Sequence, residues 1–275
     1  MKVAFLDTVH KVLRSRLEDK GYDCKELLKV TREEIIEGEL SDINGIVIRS
    51  RLTIDAQLLD ALPSLKWISR SGSGLDNIDT EEAKARGVEV FSSPEGNRDS
   101  VGEHTLGLLL MTLHKLRSGD VSVHQRKWLR EEHRGEELKH KTVGIIGYGV
   151  MGSSFAEKIS GLGCRVISYD KYKKGFGSDQ VEEVTEKEFF EQSEVVSVHV
   201  PWTTETKGLV NEKWLSLFSN PIIFLNTSRG AVVKTADLLD AMNEGKVRSA
   251  ALDVIEFEGN SLERLELGKE KSEIL

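Results

Sequence analysis

Short β-branched runs alternate with stretches of helical period from the first residues of the chain. Residues 3–6 are apolar and open a strand, after which Val9, Val12, Leu13 and Leu17 fall on one helical face that ends at Gly21. Runs at 45–48, 65–69 and 88–91 predict further strands, with helices over 53–62 and 80–86 between them. That alternation is the spacing of βαβ units, which build parallel sheets with right-handed crossovers. Residues 100–117 are apolar almost all round, with Val101, Leu106, Leu108, Leu109, Leu110, Leu113 and Leu116, and predict one long helix covered on several sides or by a second subunit. A polar stretch at 126–140 separates it from a second strand series at 143–146, 165–169, 195–200, 222–225 and 250–254. The expected fold is α/β, with two doubly wound parallel-sheet domains over 1–98 and 99–275.

Composition narrows the function classes. At 275 residues the chain has room for about two domains of ordinary size. Its 38 Lys+Arg against 46 Asp+Glu give a formal charge of −8, which repels phosphate backbones and argues against nucleic acid as a partner. An anionic ligand must be caught locally. The two cysteines, Cys24 and Cys164, form no CxxC pair, and the histidines show no ligand spacing such as HExxH, so neither a disulfide scaffold nor a metal is expected. The apolar stretch 106–113 is too short for a membrane span, and the N-terminus meets Asp7 too soon for a signal peptide. These features predict a cytoplasmic protein with no membrane partner.

The chemistry begins at the second domain's first strand, which runs into GYGVMG at 147–152 and then a helix carrying Phe155, Ile159 and Leu162. This is GxGxxG in the strand-turn-helix setting it needs. Gly147 permits the tight turn, Gly149 lets a pyrophosphate approach the backbone, and Gly152 lets helix and strand pack closely; Val150 and Met151 complete the loop at the positive end of the helix. The next strand ends at Asp170, 18 residues after Gly152, where a carboxylate accepts hydrogen bonds from an adenosine ribose. Its charge opposes a 2′-phosphate and favours NAD over NADP, although Lys171, Lys173 and Lys174 can soften that repulsion.

Later segments add HVPWTTET at 199–206, NTSRGAVV at 226–233 and ALDVIEFE at 251–258 to RSGSGLDNID at 70–79 and PEGNRDSVGEH at 94–104. In this order the motifs resemble the D-isomer-specific 2-hydroxyacid dehydrogenase family, most nearly its 3-phosphoglycerate dehydrogenase and hydroxypyruvate reductase members. The resemblance implies a flavodoxin-like substrate-binding domain and a Rossmann NAD-binding domain with an active site in the cleft between them. It implies hydride transfer between NAD and a D-2-hydroxy acid or 2-keto acid, with 3-phosphoglycerate one possible substrate. Arg229 then orients the acid and polarises its carbonyl, and Glu258 raises the pKa of a partner histidine. His199, Pro201, Thr203, Thr227, Ser228 and Asp253 match positions along the cofactor, Asp253 at the nicotinamide carboxamide. Ser73, Gly74 and Asn97 match the substrate loop, and Arg49 and Ser50, with Arg51, follow a strand end where a distal phosphate can be gripped. His104 is assigned no chemistry. Residues 100–117 and 126–140 are the expected homodimer interface.

The family's general acid/base is a histidine some dozens of residues beyond its glutamate, and no histidine follows Glu258 here. The expectation is a truncated sequence, lacking the closing strand and helix, that binds cofactor but turns over about 10²–10⁴-fold more slowly. The alternative is a catalytically impaired NAD-binding sensor or partner-binding protein on the same fold. A formate-type or lactate-type dehydrogenase of the same family is a further alternative.

Overall fold

A computed structural model describes residues 1–257. They form two compact units, Met1–Asn97 and a second beginning at Arg98. In the first, β1 (Lys2–Phe5), α1 (Lys11–Asp19), β2 (Asp23–Glu26), α2 (Arg32–Ile36), β3 (Gly45–Ile48), α3 (Ala56–Asp60), β4 (Trp67–Arg70), α4 (Thr80–Ala85) and β5 (Glu89–Ser92) follow one another. The sheet order is β2-β1-β3-β4-β5, every pairing parallel, which is the flavodoxin-like arrangement. Ile46, Ile48, Ile54, Leu58 and Ile68 are wholly buried on one side of it. Strand β2, of sequence DCKE, escapes the hydrophobic pattern because it is an edge strand that buries only Cys24.

The second unit opens with α5 (Arg98–Leu113) and α6 (Leu116–His124). It continues with β6 (Thr142–Ile146), α7 (Val150–Ile159), β7 (Arg165–Tyr169), β8 (Glu182–Glu183), α8 (Glu186–Gln192) and β9 (Val195–Val198), then α9 (Glu212–Ser216), β10 (Ile222–Asn226), α10 (Thr235–Asn243) and β11 (Val247–Leu252). The order β11-β10-β9-β6-β7-β8 is again wholly parallel and is that of a Rossmann domain. Phe189, Phe190, Trp214 and Phe218 pack edge to face on one side, and Leu109, Phe155 and Ile159 fill the other.

One expectation is corrected. The apolar run predicted as a single helix is two, because Lys115 adopts a left-handed φ of 51° and ends the ladder. Although the run from Leu106 to Leu113 of α5 is largely apolar, only Gly102, Thr105, Leu109 and Leu113 of the helix are buried, one stripe at helical spacing. Ser154 of α7 donates its hydroxyl to Arg98 O at 2.8 Å and ties the start of α5 to that helix. No helix among the described residues is long and apolar enough to cross a membrane.

Candidate active site

In the second unit the carboxyl ends of β6, β7, β9, β10 and β11 share one edge of the sheet, where doubly wound folds bind ligands. Gly147 takes φ +90° and donates its N–H to Tyr169 O at 3.0 Å, closing the turn. A Cβ at Gly152 would sit 2.1 Å from Gly147 O, whereas one at Gly149 would meet nothing within 4 Å. Two of the glycines thus serve close packing or the turn, and Gly149 leaves room where a pyrophosphate approaches. Val150 and Met151 form the first turn of α7, whose N–H groups point to the same edge.

Asp170 is fixed more firmly than the sequence implies. Its Oδ2 accepts Tyr148 N at 2.8 Å, and its Oδ1 accepts Tyr172 N and Lys173 N at 2.9 and 2.8 Å. Burial pushes this carboxyl up, but the three backbone donors outweigh it and hold it below its ordinary value. Asp170 borders a crevice of about 630 Å³, lined also by Tyr172, His199, Pro201, Thr203 and Thr206. Its size and the glycine at its mouth suit a nucleotide, so the residues present fit NAD.

His199 is buried, its Nε2 2.8 Å from Ser197 Oγ, and its Nδ1 has no hydrogen-bond partner among the described residues. Burial pushes the imidazole down to about 4, so it stays neutral. Thr203 N and Thr206 Oγ1 are joined at 2.8 Å, and Thr206 Oγ1 donates to Pro201 O at 2.5 Å, which rigidifies the loop.

The loop after β10 is wired by a residue that the sequence reading passed over. Asn226 Oδ1 accepts Ser228 N at 3.0 Å and Ser228 Oγ at 2.7 Å, while its Nδ2 donates to Arg229 O at 3.0 Å. Arg229 Nη1 in turn donates to Ser228 O at 2.7 Å. A Cβ at Gly230 would lie 1.8 Å from Ile255 O, so the loop seats on the segment after β11. Glu256 reinforces that seat by accepting Thr235 N at 2.8 Å at the start of α10. Asp253, which donates its N–H to Asn226 O at 3.0 Å, also meets His104 Nε2 at 3.0 Å through its Oδ1. Next to His104, Thr105 Oγ1 lies 3.0 Å from Thr227 Oγ1. Two side-chain bonds therefore bind α5 to the ends of β10 and β11. Glu258 lies outside the described residues.

In the first unit, Arg49, Ser50, Ser73 and Gly74 gather at the carboxyl ends of β3 and β4. The loop after β3 is pinned by Asp7 Oδ2, which accepts Arg49 N at 2.6 Å, and by Asn77 Nδ2, which donates to Arg49 O and Leu52 O. Arg51 folds back on the backbone: its Nε and Nη2 donate to Leu6 O and its Nη1 to Val30 O, so it braces the fold although, like Arg49, it is exposed. Asn97 Oδ1 is buried with no partner among the described residues.

Glycine turn, ribose-side acid and parallel order together define the second unit as a dinucleotide-binding domain. The profile described as "D-isomer specific 2-hydroxyacid dehydrogenase, NAD binding domain" matches residues 106–271. The chain belongs to that family, and its second unit is an NAD-binding domain. It is 35% identical over 260 residues to a D-3-phosphoglycerate dehydrogenase of Archaeoglobus fulgidus, covering 94% of this chain and 49% of that protein. The chain thus spans about half the length of that relative. It is 34% identical over 238 residues to a hydroxypyruvate reductase of Thermotoga maritima, covering 85% of this chain and 78% of that one. Among solved structures, D-lactate dehydrogenase of Aquifex aeolicus complexed with NAD and lactic acid superposes with a TM-score of 0.79 at 29% identity, over 94% of this chain and 78% of that chain.

Proposed function

We propose that the chain carries the cofactor and substrate machinery of an NAD-dependent oxidoreductase acting on a D-2-hydroxy acid and its 2-keto acid. The observation that carries this reading is the seating of Arg229 and Asp253 at the nucleotide-binding edge of the second unit, held there by Asn226 and by the close approach of Gly230 to Ile255. When bound, NAD accepts or supplies the hydride at its nicotinamide ring. Arg229 presents a planar cation that can bind a carboxylate and polarise the adjacent carbonyl. Asp253 offers an acceptor for the carboxamide, fixing which face of the ring meets the substrate. Asn97, Ser73 and Gly74 are read as the first unit's own substrate-binding residues. Exposed Arg49 favours a larger anionic substrate, such as a 3-phosphorylated hydroxy acid, in keeping with the name of the Archaeoglobus fulgidus relative. A homodimer fits the exposed Leu116, Val121, Val123 and Trp128, the last 82% accessible, and a cytoplasmic setting fits the two free cysteines, Cys24 and Cys164.

The test is loss of NADH absorbance with hydroxypyruvate, glyoxylate, pyruvate and 3-phosphohydroxypyruvate, beside a fluorescence titration of NADH. Turnover ranks the substrates. NADH binding with none of the four reduced, even at the about 10²–10⁴-fold lowered rate and at high protein concentration, overturns the oxidoreductase reading while leaving the cofactor site standing.

A further inference from the structure

The three lysines that follow Asp170 are each drawn to a different place. Lys173 Nζ lies 5.1 Å from the Tyr148 ring centroid, also faces Phe176 at 5.9 Å, and donates to Tyr148 O at 3.2 Å. Lys174 Nζ donates to Asp170 O at 2.8 Å and lies over the Tyr169 ring. Neither borders the nucleotide crevice; among the described residues the one Lys or Arg that does is Lys171. Lys171 is ion-paired with Glu205 on the opposite wall, and Tyr172 donates its hydroxyl to the other oxygen of the same carboxylate. Glu205 stands in the loop already stiffened by Thr203 and Thr206. The crevice is thus bordered by three carboxylates, Asp170, Glu186 and Glu205, against one cation that is already engaged.

We infer that Glu205 is a second determinant of cofactor choice: by holding Lys171 it denies a 2′-phosphate the one cation within the crevice, and so selects NAD(H) over NADP(H). The inference rests on the reading of the second unit as NAD-binding and deepens it. A ribose bearing a free 2′-hydroxyl needs only an acceptor, which Asp170 supplies. A 2′-phosphate needs compensating positive charge, and here it meets three acids with their one cation spent. Removing the Glu205 charge both lessens the repulsion and frees Lys171, two changes of the same sign.

The test is the ratio of NADPH to NADH dissociation constants, measured by fluorescence titration at low salt on the wild-type chain, Glu205→Gln, Lys171→Ala and the double variant. Glutamine keeps an acceptor for Tyr172 while losing the charge. The expected result is a shift of the ratio towards NADPH of about tenfold in Glu205→Gln, shrinking as salt is raised. In the double variant that gain is largely lost, since it acts through Lys171. A shift below threefold, or a full shift that persists without Lys171, overturns the inference. A wild-type chain that binds neither dinucleotide overturns the cofactor reading itself, so the two failures are told apart.

Discussion

His104 Nε2 lies 3.0 Å from Asp253 Oδ1, joining the second turn of α5 to the segment just after β11. Both side chains are about half exposed, so the pair adds little to global stability. Its effect is to limit the rotamers of an acid that faces the cofactor edge. Replacing His104 with Ala is expected to weaken NADH binding by about threefold to tenfold while lowering unfolding stability by less than ~1 kcal/mol. Glutamine at 104, which keeps a donor, restores part of the affinity. Fluorescence titration alongside urea denaturation checks both; unchanged affinity in the Ala variant leaves the pair as a brace only.

The glycines of the turn and the Arg229 loop separate folding from binding. Gly152→Ala and Gly230→Ala each force a Cβ against a backbone carbonyl, at 2.1 and 1.8 Å, and backbone cannot yield as a side-chain tip can. Each is expected to cost about 1–3 kcal/mol or more, read by urea denaturation. Gly149→Ala meets open space, so it folds normally. It is expected to lose about tenfold or more in NADH affinity, because the new methyl group occupies the pyrophosphate's approach.

His199 gives a pH signature. Its folded value of about 4 lies below the ordinary 6.5, so the unfolded chain takes up the proton first as pH falls. Stability is full above pH 6.5 and falls between there and pH 4, by about 3 kcal/mol from this one group. Denaturant midpoints measured across that window, compared with those of His199→Gln, isolate it, since the variant's curve flattens there. Glu136, held down to about 2 by Lys141 and then Arg248, loses its contribution only as pH falls below 4.5, so the two windows barely meet.

The proposed dimer draws on α6 and the segment beyond it. Leu116, Val121 and Val123 are each about half exposed, and Trp128 more so. Sedimentation is expected to give a dimer for the wild-type chain and a monomer for Val121→Glu combined with Val123→Glu. A wild-type monomer across micromolar concentrations refutes the dimer.

The strands that carry the site were legible because a parallel strand covered on both faces must be apolar, as Ile46, Val143 and Val196 are. Edge strand β2 was not, since three of its four residues face water and spell no pattern. GYGVMG and Asp170 declared themselves by spacing, as backbone geometry demands those residue types there. The break at Lys115 left no trace, because a lysine in a left-handed turn looks like any lysine. Asn226, His104 and Glu205 were invisible for another reason. Their roles lie in partners distant in the chain or in a loop's own wiring, and sequence order does not show who meets whom. The sense of Arg51 was likewise lost until its carbonyl partners, Leu6 and Val30, were seen.

The three backbone donors gathered by Asp170 carry an evolutionary consequence. One carboxylate staples the glycine turn to the chain beyond β7, so any change there loosens the architecture at the moment it alters ligand preference. A lineage drifting towards a phosphorylated nucleotide has a smoother route through the opposite wall, at Glu205, where a mutation disturbs only exposed side chains. Asp170 can then change last, once other residues have taken over the staple.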